Sequence, residues 1–146
     1  MTLVDTTVWI DFFKGHDTPQ VRHLESLIGA DEDICICGVI LTEVLQGVRG
    51  DKDYGAVSTR FDAFIYLPMT QKTFRRAAEM YRSLRKQGVT IRNAVDCMIA
   101  AVAIEHDIPL LHNDRDFLPL ANHCGLKVTN TDNPPTSKSN VRLRRR

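Results

Sequence analysis

Thr2-Leu3-Val4-Asp5-Thr6-Thr7-Val8-Trp9-Ile10-Asp11 is the stretch that decides the fold. Leu3 and Val4 open a short apolar strand, Asp5 closes it, and Val8-Trp9-Ile10 with Phe12-Phe13 carry the chain into a helical turn. A charge adjoining a buried segment is costly unless something compensates it. Three further segments repeat the arrangement. Glu43 lies just beyond the apolar run Ile34-Cys35-Ile36-Cys37, Asp96 sits near the start of an almost wholly apolar helix, and Asp114 and Asp116 follow Pro109-Leu110-Leu111. In an open parallel sheet the carboxyl ends of the strands are where ligands bind. Several acids converging there suit a hard cation with oxygen ligands, Mg²⁺ or Mn²⁺.

Between these acids, apolar runs alternate with helical patterns, which argues a βαβ architecture. Thr18-Pro19 reads as an N-cap followed by proline in the first turn, with Val21, Leu24, Leu27 and Ile28 forming a stripe that ends near Gly29. Gly38 leads into a helix bearing Val39, Ile40, Glu43, Val44 and Leu45. Val57, Phe61, Phe64 and Ile65 form another stripe, and Tyr66-Leu67 a short strand. Thr70 is a cap candidate for a helix whose Phe74, Ala77, Ala78, Tyr81 and Leu84 are expected to face inward. Its other face carries Arg75, Arg76, Arg82, Arg85 and Lys86, either a solvated side or a track for an RNA backbone. The helix from about Asn93 to His106 is apolar over most of its circumference and should be buried. Ile108 to Leu111 is expected as a central strand and Leu126 to Thr129 as an edge strand.

At 146 residues and 43 % hydrophobic content the chain is long enough for one domain with a proper core. No apolar stretch approaches the roughly 20 residues of a membrane span, and no signal-peptide pattern opens the sequence, so a cytoplasmic location is expected. The cysteines agree. Cys35 and Cys37 alternate along a strand, Cys97 and Cys124 are isolated, and neither C-x-x-C nor zinc spacing occurs. The net charge of +1 hides an asymmetry: residues 130–146 hold five basic groups against Asp132, or +4, leaving −3 on residues 1–129. An acidic body with a basic tail fits a metal-binding pocket plus an arm for phosphate. The composition of residues 133–140 cannot build a core, so a disordered end is the structural expectation.

A structural Asp at position 96 has a simple explanation as a helix N-cap, with Asn93 as a competing cap. That explains Asp96 alone and leaves Asp5, Glu43 and Asp114 unexplained. Taken together, Val4-Asp5-Thr6-Thr7-Val8-Trp9-Ile10-Asp11, Leu41-Thr42-Glu43-Val44-Leu45-Gln46-Gly47, Asn93-Ala94-Val95-Asp96 with Ile99-Ala100-Ala101, and Leu110-Leu111-His112-Asn113-Asp114-Arg115-Asp116-Phe117 resemble the PIN domain family, more narrowly the VapC-type ribonuclease toxins. The resemblance spans Val4 to about Thr129. It places the family's four acids on Asp5, Glu43, Asp96 and Asp114, a further frequent acid on Asp116, and a supporting hydroxyl on Thr6 or Thr7. His112-Asn113 departs from the pattern, where Thr is frequent before the fourth acid.

The resemblance implies a three-layer α/β/α fold around a central, mainly parallel sheet of four to five strands, as a domain of residues 1–129. It also implies Mg²⁺- or Mn²⁺-dependent hydrolysis of RNA, a homodimer, and a VapB-type antitoxin that blocks the site. On this reading Asp5, Asp96 and Asp114 hold the metal, and Glu43 ligates through water or helps to deprotonate the nucleophile. Asp116 joins them or serves as a cap or salt-bridge partner. Arg115 steers phosphate or acts as a local counterion. Trp9, Phe12 and Phe13 belong to core or dimer packing, or dock an antitoxin segment. A haloacid-dehalogenase-like phosphatase needs an acid where position 7 is Thr, and a phosphoreceiver lacks its acidic pair and Lys here. Two alternatives remain: a PIN-fold nuclease of RNA maturation or DNA processing, and a catalytically weak module that binds RNA or protein.

Overall fold

The computed structural model describes residues 1–131. From residue 132 on, the basic tail lies outside the described residues. Four short parallel strands, β1 (Thr2–Val4), β2 (Ile34–Cys37), β3 (Ile65–Leu67) and β4 (Leu110–Leu111), form one sheet in the order β3-β2-β1-β4. Seven helices flank it: α1 (Thr6–Lys14), α2 (Pro19–Gly29), α3 (Gly38–Gly47), α4 (Asp51–Phe61), α5 (Gln71–Lys86), α6 (Ala94–Glu105) and α7 (Leu118–His123). A 3-10 turn, Arg115–Phe117, precedes α7. The expected α/β architecture with its parallel sheet is what the chain adopts.

The register is fixed by Leu3, which pairs with Cys35 of β2 on one side and Leu110 of β4 on the other. The chain steps outward from β1 through β2 to β3, then crosses back to lay β4 against the free side of β1. The order therefore reverses between β1 and β4, and such a switch point opens a crevice at the carboxyl ends of the strands. Strands buried on both faces read as near-continuous apolar runs. Leu3, Val4, Ile34–Cys37, Leu110 and Leu111 are accordingly all buried, and Ile99 to Ala103 of α6 pack into the same core.

Local chemistry sets the helix starts. The Thr18 hydroxyl accepts from the Val21 N–H at 3.0 Å, and the Thr73 hydroxyl accepts from the Thr70 N–H at 3.0 Å. Asn93, rather than Asp96, caps α6, its side-chain oxygen accepting from the Val95 N–H at 3.0 Å. Three expectations are modified. The inward face of α5 is Thr73, Ala77, Met80 and Leu84: Ala77 and Leu84 are buried as expected and Tyr81 is partly so, while Phe74 is 45 % exposed and Thr73 and Met80 take the inward places instead. The strand expected over Leu126 to Thr129 reduces to a single parallel bridge, Val128 to Leu110. β4 is therefore flanked on its outer side by that bridge alone. Glu43 stands in the middle of α3, not at its opening.

Ile99 is fully buried in α6. Ile99→Ala is expected to lower the unfolding free energy by about 2–5 kcal/mol, and Asn93→Ala by about 1 kcal/mol through loss of the cap. Urea melts check both. The midpoints should fall in that order of severity with m unchanged.

Candidate metal centre

Asp5 leaves the end of β1, and its backbone N–H donates to the Leu111 carbonyl at 2.9 Å, so the ends of β1 and β4 are tied together. Its carboxylate caps α1, accepting the Thr7 N–H at 3.1 Å and the Thr7 hydroxyl at 2.5 Å. The Thr7 oxygen in turn accepts the Asn113 N–H at 3.1 Å. One hydroxyl thus joins the first acid-bearing turn to the turn after β4. The Asn113 amide reaches Asp11 of α1 at 3.4 Å, adding a second tie between the same two segments.

Beyond β4, Asp114 caps the 3-10 turn and accepts the Asp116 N–H at 2.9 Å. Its own N–H donates to Nδ1 of His112 at 3.2 Å, and the imidazole packs against Phe117 with ring centroids 4.9 Å apart. Burial holds the His112 imidazole neutral, its pKa pushed down to about 4 even though Asp114 favours the charged form. Nδ1 is therefore the acceptor and the proton sits on Nε2.

Asp96 enters from the first turn of α6, where the helix dipole favours an anion. It is fully buried, as is Asp114, and Asp5 is nearly so. Asp96, Asp114 and Asp116 each bring a carboxylate oxygen to within 4.8 Å of the other two. Asp5 and Glu43 stand outside this tight group among the described residues. Glu43 is held by the Thr6 hydroxyl, which donates to its Oε1 at 2.9 Å. Thr6 and Thr7 therefore serve different acids.

Ionised carboxylates at such a spacing repel by roughly 3 kcal/mol per pair at an effective dielectric constant near 20. A divalent cation between them removes that cost. An all-oxygen donor set in a buried crevice is the chemistry that hard cations such as Mg²⁺ or Mn²⁺ accept. The residues present fit such an ion.

A family model described as PIN domain matches residues 2–122. The chain belongs to the PIN domain family. This PIN domain is 30 % identical over 130 residues to Ribonuclease VapC11 of Mycobacterium tuberculosis, covering 88 % of this chain and 97 % of that one. It is 32 % identical over 123 residues to Ribonuclease VapC19 of the same organism, covering 82 % and 94 %. Its fold is also similar to a solved structure of VapBC2 from Rickettsia felis bound to a DNA fragment from their promoter. There the TM-score is 0.71 at 19 % identity, with 90 % of this chain and 98 % of that chain covered.

One residue of this PIN domain gains importance only in three dimensions. Arg92, in the loop before α6, reaches Asp116 at 3.2 Å, a pairing across 24 positions that no local pattern announces. Asp116 pairs with that cation, as the salt-bridge expectation had it, and also stands among the clustered acids. Arg115 is exposed beside them. Trp9 is buried to 1 % exposure and packs against Phe12, Phe13, Phe61 and Phe64, with centroids 4.9 to 6.0 Å away, so it is core and no surface for base stacking. All four cysteines are free, and burial pushes the Cys37 and Cys97 thiols up to about 11, which makes them inert packing groups. No helix among the described residues is long and apolar enough to cross a membrane.

The His112 imidazole titrates near 6.5 when unfolded and near 4 when folded. Between these values the unfolded chain binds the extra proton, so stability falls as pH drops through that window. In metal-free protein the wild type is expected to lose up to about 3 kcal/mol more than His112→Gln between pH 6.5 and 4. Urea midpoints across this range read the difference. Equal losses in both proteins would show that the ring is not held neutral.

Proposed function

We propose that this PIN domain is the toxin of a toxin–antitoxin pair, an endoribonuclease that hydrolyses RNA phosphodiester bonds with Mg²⁺ or Mn²⁺. The observation that carries this reading is the group of Asp96, Asp114 and Asp116, clustered within 4.8 Å at the switch point of the sheet. The names of the VapC ribonucleases to which the chain is 30 to 32 % identical support the activity. The solved VapBC complex of similar fold supports a VapB-type antitoxin as partner. A homodimer is part of the proposal, as is the division into a nuclease domain of residues 1–129 and a basic tail.

Asp96, Asp114 and Asp116 would hold the ion, with Asp5 completing the acidic wall from the neighbouring strand. A divalent cation held there would supply charge neutralisation at the phosphate and would lower the pKa of a water. The protein's own contribution is placement. Thr7 and Asn113 fix the β1 and β4 turns against each other, and neutral His112 holds the Asp114 backbone without adding a competing cation. Glu43, with Oε1 occupied by the Thr6 hydroxyl, has Oε2 left to take a proton from the attacking water. Arg92 keeps Asp116 in place.

Purified, antitoxin-free protein is expected to cut total cellular RNA into discrete products with Mg²⁺ or Mn²⁺, and EDTA should abolish the cutting. Asp96→Asn and Asp114→Asn are each expected to lower the rate about 1,000-fold, the scale of losing several kcal/mol of charge stabilisation. Thr7→Val, which touches no substrate, is expected to cost about 10–100-fold by loosening the ligand-bearing turns. Metal-independent cleavage, or full activity in Asp96→Asn, would refute the reading.

A further inference from the structure

An open groove of about 700 Å³ lies between α5 and the end of α7. Lys72, Arg75, Arg76 and Glu79 line one wall, and His123 and Cys124 the other. Among the described residues neither Lys72 nor Arg75 is held in an ion pair, whereas Arg76 stands 3.9 Å from Glu105. Residues spaced by three and four share one face of a helix, so Arg82 and Lys86 extend the same basic stripe towards the end of α5.

The groove and the acidic cluster occupy two ends of the same elements. α5 and α6 form an antiparallel pair: the Thr73 hydroxyl donates to Glu105 at 2.9 Å at one end, and residues 87–93 turn the chain at the other. Asp96 and Glu105 are nine residues apart on α6, roughly 13 Å along its axis. The 3-10 turn and α7 lead likewise from Asp116 to His123. Basic residues therefore recur along the exposed face of α5, on either side of Glu79, from the turn that leads to α6 back to the groove.

We propose that this groove binds phosphates of the RNA strand flanking the cleaved bond, so that the substrate lies along α5. The proposal rests on the nuclease reading. Clustered carboxylates repel a polyanion, so cations outside the centre strengthen the grip on the strand. The exposed face of α5 supplies such cations, Lys72, Arg75, Arg82 and Lys86, on either side of Glu79. Apart from Met80 and Cys124 the lining residues are polar or charged, which suits a sugar–phosphate backbone better than the apolar anchors of a peptide.

The test measures binding of a fluorescein-labelled oligouridylate to Asp96→Asn protein, which does not turn it over, across a range of salt. Adding Lys72→Ala/Arg75→Ala is expected to weaken binding and to make the slope of log K against log salt shallower by about 1.4, the share of two single-strand phosphate contacts. Removing two exposed cations elsewhere with Arg22→Ala/Lys127→Ala should leave the slope unchanged. In the active background the groove variant should raise KM about 10-fold with kcat within two-fold. Crosslinks from 4-thiouridine RNA to unmutated groove residues should fall within 72–83 and 118–124, a readout independent of any folding defect. An unchanged slope, or crosslinks elsewhere, overturns the groove even where the wild type cuts RNA. Absence of cleavage by the wild type overturns the nuclease reading instead. Binding of an oligoglutamate that the groove variant loses, with the RNA slope intact, overturns the proposal in favour of an acidic protein segment.

Discussion

Everything at the centre depends on the pairing of β1 with β4. Leu3 and Val4 pair with Leu110 and Leu111, and the Asp5 N–H continues the ladder onto the Leu111 carbonyl. Both strands point the same way, so the turns that follow them emerge side by side. A slip of one residue would shift the second turn by about 3.3 Å and reverse the faces of its side chains. The apolar runs that forbid such a slip are only two or three residues long. Their hold comes from complete burial, and the Thr7 hydroxyl adds a side-chain tie directly beneath the acids.

Burying several carboxylates together is expensive, and the chain lowers that cost by giving the acids structural work as well. Asp5 caps α1, Asp114 caps the 3-10 turn, and Asp96 sits in the first turn of a helix already capped by Asn93. Each uses backbone N–H groups or the positive end of a helix to offset its charge. For Asp5 and Asp114 the capping role is seen directly, one carboxylate oxygen of each accepting a backbone N–H.

Much of this was legible in the sequence. Strand positions followed from short apolar runs, and the acids announced themselves because a charge at the end of such a run has few structural excuses. The capping roles of Thr18 and Asn93 were also visible, since they depend on neighbours three residues away or fewer. What stayed hidden depends on long-range packing. The Arg92–Asp116 pair joins two loops across α6. The inward face of α5 was right at Ala77 and Leu84 but missed Thr73 and Met80, while Phe74 turns to solvent. The last strand shrank to one bridge, since Val128 contacts β4 at Leu110 only. Membership of Asp116 in the tight acidic group goes with the turn that starts at Asp114, whose carboxylate accepts the Asp116 N–H.

The antiparallel pair of α5 and α6 has a kinetic consequence. It separates charge along one axis, with carboxylates at one end and a basic groove towards the other. A polyanion diffusing towards the molecule feels repulsion from the first and attraction from the second, so the field turns it before contact. On the proposed reading, capture at the groove precedes chemistry at the acids, and a strand too short to span both ends gains little from the groove.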